Sequence, residues 1–156
     1  MVDYNANYEQ RTSKGANVSE KMCIKLLNKM KKVNFEWTRF GFDETNENIP
    51  SKSFVKIPQK LRNAPDFIVI GKKAKFLEAK GFRGCLKIKE CDLEGYKYWN
   101  ELLELMFFIY DAPNKKYRLI SYEELLKLTK NAEIGRYEDS NKTYYKIYLQ
   151  CDSQLG

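Results

Sequence analysis

The sequence predicts an α/β (α+β) fold, a mixed central β-sheet flanked by helices. Three observations predict it. Stretches with apolar residues on one helical face alternate with short apolar or alternating runs, in the order helix, three strands, helix, two strands, helix, strand. No repeat, low-complexity tract or Pro/Ser-rich linker divides the chain. Its 156 residues are 43% hydrophobic and 14% aromatic, with eight Gly and four Pro, which suits one compact domain needing no disulfide or metal to hold its core.

Residues 1–16 are polar and read as a flexible N-terminal arm, with Tyr4 and Tyr8 as possible anchors, and residues 17–156 as a single domain. From Val18 to Val33 the apolar positions Val18, Met22, Cys23, Leu26, Leu27, Met30 and Val33 cover one side of a helical wheel. Phe35 to Phe42 alternates and predicts a strand, and Asp43 to Lys52 is a polar loop. Asp66 to Ile70 predicts a short buried strand, Gly71-Lys72-Lys73 a turn, and Ala74 to Ala79 the returning strand of a hairpin. Asp92 is the expected cap of a helix running to about Leu105, with Tyr96, Trp99, Leu102 and Leu103 turned to the core. Met106 to Tyr110 predicts a buried strand that pairs, across the turn at Asp111-Ala-Pro-Asn114, with Lys116 to Ile120. Ser121-Tyr-Glu-Glu124 is a capping box opening a helix with Leu125, Leu126 and Leu128 inward. Thr143 to Leu149 alternates as a last, edge strand.

The composition narrows the chemistry. With no histidine there is no Ser-His-Asp triad, no Cys-His pair, no His-ligated zinc and no imidazole base. Catalysis would fall to carboxylates, lysines, tyrosines or thiols. Cys23, Cys85, Cys91 and Cys151 form no C-x-x-C pair and are expected as core filler in a reducing compartment. No apolar run approaches the roughly 18 residues of a membrane span. The N-terminal stretch lacks the apolar core of a signal peptide and is too acidic and Arg-poor for a transit peptide. The expectation is a cytoplasmic protein without membrane association. The net charge of +7 is concentrated: Lys52 to Lys97 carries twelve Lys/Arg against five Asp/Glu, while the remaining residues cancel. A local positive field of that kind favours a polyanion such as DNA or RNA, against the plainer reading of a solvated lysine-rich surface.

The informative constellation is Pro65-Asp66 followed by Glu78-Ala79-Lys80. Strand side chains alternate, so Glu78 and Lys80 share a face, and a tight hairpin brings Asp66 within reach of both. Two carboxylates and a backbone carbonyl, that of Ala79, are what Mg²⁺ (or Mn²⁺) asks for. A lysine beside such an ion can orient or deprotonate a water and offset charge on a phosphate.

This arrangement resembles the PD-(D/E)xK nuclease superfamily, from about Asn17 to Tyr110. The resemblance implies a restriction-endonuclease-like core and a divalent-metal-dependent endonuclease acting on DNA phosphodiester bonds. Asp66 and Glu78 then look like metal ligands and Lys80 like the catalytic lysine. Glu20 is the candidate for the additional acid that many members carry on the leading helix, although Asn17-Val-Ser-Glu20 is also a capping-box pattern. Lys97 is the nearest match to the Gln or Lys that resolvase-like members carry on the next helix, with a plain solvated lysine as its bland reading. Lys87 and Lys89, with Arg83, Lys72 and Lys73, are the expected contacts to a DNA backbone. Tyr96 and Trp99 are expected in the core rather than as stacking platforms. Viral cap-snatching relatives add a histidine ligand, absent here, and iron–sulphur members space their cysteines differently, so no iron–sulphur cluster is expected. What remains is a small nuclease, expected as a homodimer, acting on Holliday-junction or other branched DNA. The alternatives are a sequence-specific homing or restriction-type enzyme from a phage or mobile element, and a non-catalytic nucleic-acid-binding module with a decayed nuclease fold.

Overall fold

The structure, a computed structural model, describes residues 8–31, 34–41 and 56–156, with the side chains of the first helix from Val18 onward. The elements are α1 (Tyr8–Met30), β1 (Glu36–Arg39), α2 (Gln59–Arg62), β2 (Phe67–Ile70), β3 (Ala74–Phe82) and β4 (Leu86–Lys89). They continue with α3 (Glu90–Leu102), β5 (Leu105–Asp111), β6 (Lys116–Ser121), α4 (Tyr122–Lys130), β7 (Glu133–Arg136), β8 (Thr143–Ile147) and β9 (Ser153–Gln154). The mixed central sheet flanked by helices is present: six strands in the order β1-β2-β3-β5-β6-β9. β3 and β5 are parallel, joined by a crossover that contains β4 and α3, and the other neighbours are antiparallel.

Alternation along β3 sorts the core. Leu77 and Ala79 point toward α1, where they meet Cys23, Leu27 and Phe108. Phe76 and Phe82 point to the other side, onto Tyr96, Trp99 and Phe107. Each fully buried Phe contributes roughly 1.5–3 kcal/mol over leaving it exposed. Glu78 and Lys80 therefore stand on the α3 side of the sheet. Helix α1 buries Ser19, Cys23, Leu26 and Leu27, which recur at helical spacing. It lies close to β3: a Cβ on Gly81 would come 3.2 Å from Cβ of Ser19.

Several expectations are corrected. Helix α1 begins at Tyr8, well before Val18, because YEQRTSKGA propagates a helix without an apolar stripe that periodicity could register. Val18 and Met30, counted in the apolar arc, are exposed, and Val33 and Phe42 lie outside the described residues. β8 is not an edge strand. It is the centre of a second sheet, β4-β8-β7, so the described residues form two sheets rather than one. Helix α3 starts at Glu90 with Lys89 as its N-cap, which puts Asp92 in the first turn, where a carboxylate suits the helix dipole. Leu102 is 59% exposed, not core. Helix α4 begins as expected, with the Glu124 N–H donating to Ser121 Oγ at 3.1 Å. Leu125 is buried there, and Leu126 and Leu128 pack against the same cluster. Of the cysteines, all free, Cys23 and Cys151 are buried, but Cys91 is exposed because it falls on the outer side of the first turn of α3. Among the described residues no helix is long and apolar enough to cross a membrane.

Candidate active site

The site lies where β2 begins. Phe40 and Gly41 donate their N–H groups to the Asp66 carbonyl at 2.8 and 3.4 Å, which ties the segment before β2 to the end of β1. Gly41 is needed for that approach, since a Cβ there would lie 2.7 Å from the Pro65 carbonyl oxygen and 2.8 Å from that of Ala64. Pro65 itself is buried.

Ladder pairing of β2 with β3 stops at Phe67–Leu77, and beyond it side chains take over. The Ala79 N–H donates to Asp66 Oδ2 at 2.8 Å, and the Asp66 N–H donates to Glu78 Oε2 at 3.2 Å. The Asp66 carboxylate thus stands where a strand carbonyl would stand, in the plane of the sheet. The N–H and C=O of one strand residue point the same way, so the Ala79 carbonyl is directed to this edge as well. Lys80 Nζ lies 3.2 Å from Glu78 Oε1. Its other side meets Tyr96 of α3, whose ring centroid is 5.7 Å from Nζ. Tyr96 is in turn buried edge-on against Phe107 at 5.0 Å.

The electrostatics follow from burial. Loss of water, reinforced by the Glu78 charge, raises the Asp66 carboxyl to about 8, against the Ala79 hydrogen bond and the charges of Lys80 and Arg39. Burial likewise raises Glu78, opposed by Lys80. For Lys80 burial works downward, but Tyr96 and Glu78 outweigh it and hold the ammonium well above the usual lysine range. Two neighbouring carboxylates that resist ionising together have a deficit of positive charge. Hard oxygen donors in that condition fit Mg²⁺ or Mn²⁺, which takes one or two carboxylates and keeps several waters. Among the described residues no three His, Cys, Asp or Glu side chains come together as a metal-binding group, so this donor set is two carboxylates and a carbonyl.

The other residues singled out from sequence are dispersed. Glu20 is interior to α1, so it caps nothing, and its Oε2 accepts from Arg39 Nη2 at 3.0 Å. Lys72 and Lys73 are exposed in the hairpin turn, at the opposite end of β2 and β3 from Asp66. Arg83 is exposed beside Gly84, whose φ of 77° makes the bend into β4. Lys87 and Lys89 lie on the outer face of β4, with their Nζ atoms 5.9 and 5.8 Å from the Tyr137 ring centroid. Lys87 also lies 5.1 Å from that of Tyr144. Lys97 is exposed on α3. Trp99 is core, its indole N–H donating to the Lys60 carbonyl at 3.1 Å. Two residues at the site escaped sequence reasoning. Tyr96 is core, as expected, yet also Lys80's neighbour, and Arg39 pairs in register with Phe67, the residue after Asp66. Neither carries a local signal, because each reaches the site from another element.

No protein-family model matches the chain, and no curated protein does. Among solved structures it is similar to D212, a nuclease from a fusselovirus, at 16% identity and a TM-score of 0.47, over 93% of this chain and 86% of that one. A likeness at that level transfers no residue roles.

Proposed function

We propose that this protein is a divalent-metal-dependent endonuclease that hydrolyses DNA phosphodiester bonds, with branched DNA such as a four-way junction as its substrate and a homodimer as its working form. The observation that carries this reading is the convergence of Asp66, Glu78 and Lys80 at the open end of the β2–β3 hairpin. Asp66, Glu78 and the Ala79 carbonyl would hold Mg²⁺ or Mn²⁺. When bound, the ion polarises the phosphodiester and makes water a nucleophile at neutral pH, which no histidine here could do.

The chain's own groups supply the rest. Glu78 and Tyr96 fix the Lys80 ammonium from two sides and keep it protonated. A protonated Lys80 orients the attacking water and offsets charge building on the phosphate rather than removing a proton. Lys87, Lys89, Lys97, Arg83, Lys72 and Lys73 supply phosphate contacts along the duplex.

The test is cleavage of four-way junction, flap, duplex and single-stranded DNA with Mg²⁺, Mn²⁺ or EDTA, with Glu78→Ala as control. The expected result is metal-dependent cutting, strongest on the junction and lost in Glu78→Ala. Salt-sensitive DNA binding with no cut on any substrate would replace this reading with that of a binding module. Equal cutting of junction and duplex would remove the branched-DNA preference.

A further inference from the structure

Among the described residues one buried side-chain nitrogen or oxygen has no hydrogen-bond partner, Nε of Arg62. Folded chains leave few such atoms, and an ion or ligand that binds there is a common cause. An arginine cannot shed its proton to escape the cost. No salt bridge among the described residues involves Arg62. From Lys56 to Pro65 the chain holds Lys56, Lys60 and Arg62 and no acid. The stretch is a local excess of positive charge, and it asks for an anion.

Its place in the fold is beside the active site. Arg62 is the last residue of α2, and the indole N–H of Trp99 on α3 donates to the carbonyl of Lys60 at 3.1 Å. A Cβ on Gly95 of α3 would come 3.3 Å from Cβ of Asn63. Helix α2 therefore packs on α3, on the side of the sheet where Glu78 and Lys80 stand. The Ala64 N–H donates to the Leu61 carbonyl at 3.1 Å, which fixes the turn that leads into Pro65-Asp66. Four residues span at most about 14 Å, so Arg62 lies within reach of a strand that crosses Asp66. Next to it Lys60 Nζ stands 4.8 Å from the ring centroid of Tyr98, a tyrosine that is 38% exposed.

We propose that Arg62 is a phosphate-binding residue, which takes a backbone phosphate of the bound DNA strand on Nε and a terminal nitrogen. The planar fork of a guanidinium matches two phosphate oxygens. Arg62 is half-buried, so its side chain shifts outward as the phosphate engages it, and Nε gains the acceptor it lacks. The choice of DNA as ligand rests on the proposed function. The residue itself lies outside the basic set named there, all of which follows β2.

The test is binding of a fluorescent four-way junction in EDTA across a salt series, beside melting curves of the free proteins. The proteins are wild type, Arg62→Met and Arg62→Lys. Arg62→Met is expected to weaken binding about tenfold or more and to lower the salt slope by about one. The same variant should melt about 2–4 °C higher, since it keeps an apolar stem and removes the unpaired donor. Arg62→Lys should keep the slope but recover only part of the affinity, because it lacks the fork. A lower melting temperature in Arg62→Met would make Arg62 a structural residue and overturn the proposal. Unchanged affinity and slope would overturn it too. Weaker binding by Arg62→Met, with no cutting by any of the proteins in Mg²⁺, keeps the phosphate site and removes the nuclease reading. Metal-dependent cutting by Arg62→Met at wild-type affinity and rate removes the phosphate site alone.

Discussion

The two ends of the β2–β3 hairpin are made from the same strands and carry opposite chemistry. At the closed end Gly71, Lys72 and Lys73 are exposed, and the Gly71 N–H finds the Lys73 carbonyl at 3.2 Å, so the backbone satisfies itself and the lysines stay in water. At the open end the ladder stops and the Asp66 and Glu78 carboxylates take over backbone hydrogen bonds under partial cover. Both ends lie in the same lysine-rich third of the sequence. Charge density alone therefore does not distinguish them, and the difference is made by where backbone pairing ends.

Substitutions at the open end should break this contrast most. Lys80→Ala is expected to lower kcat by about 10²–10³-fold, with DNA affinity held, as measured by single-turnover cleavage beside a binding titration. Equal losses of cleavage and binding would make Lys80 another phosphate-binding lysine, no different from those at the turn. Tyr96→Phe should cost about tenfold in kcat, in line with the loss of a group that orients an active one. Rates that match wild type across the pH profile would return Tyr96 to the core alone.

The Asp66 proton gives a third measurement. Its folded value, about 8, lies above its unfolded one, so the folded chain keeps a proton that the unfolded chain has released. That contribution to stability is complete below about pH 4 and is lost as pH rises through about 8. The metal-free protein's melting temperature should fall over this interval, and Asp66→Asn should flatten the fall. Divalent-ion binding and cleavage should rise over the same interval, because the ion competes with the proton. At the closed end, replacing Lys72 and Lys73 together by Ala should leave kcat within about twofold. It should also lower the salt slope of DNA binding by about one for each phosphate that is no longer neutralised, as read from affinities across a salt series. A fall in kcat as large as that of Lys80→Ala would erase the distinction between the ends.

Much of this was legible in the sequence. Apolar runs flanking Gly71-Lys72-Lys73 gave the hairpin, and the alternation at Glu78-x-Lys80 gave a shared face. Ser121 and Glu124 marked the start of α4. The misses have physical causes. β4 reads Leu-Lys-Ile-Lys and β7 reads Glu-Ile-Gly-Arg, each too short for a clear period, and with them went the second sheet that makes β8 central. Glu20 fitted a cap locally, but a helix running from Tyr8 leaves no terminus there. Arg39 and Tyr96 reach the site through pairing of β1 with β2 and packing of α3 on the sheet, which join residues far apart in sequence.

The carboxylate that substitutes for a strand carbonyl has a consequence for how such a protein would age. Residue 66 serves two masters: architecture asks it to accept from the Ala79 N–H whether or not any bond is ever cut. A lineage that abandoned catalysis would still be held to Asp or Asn there, for the sake of the fold. Lys80 satisfies no backbone group, because its ammonium accepts nothing and completes no ladder, and its partners are the Glu78 carboxylate and the Tyr96 ring. Under the proposed function, Lys80 is therefore the position whose loss in a variant of this chain would mark lost cleavage, while an acid kept at position 66 would mark only the fold.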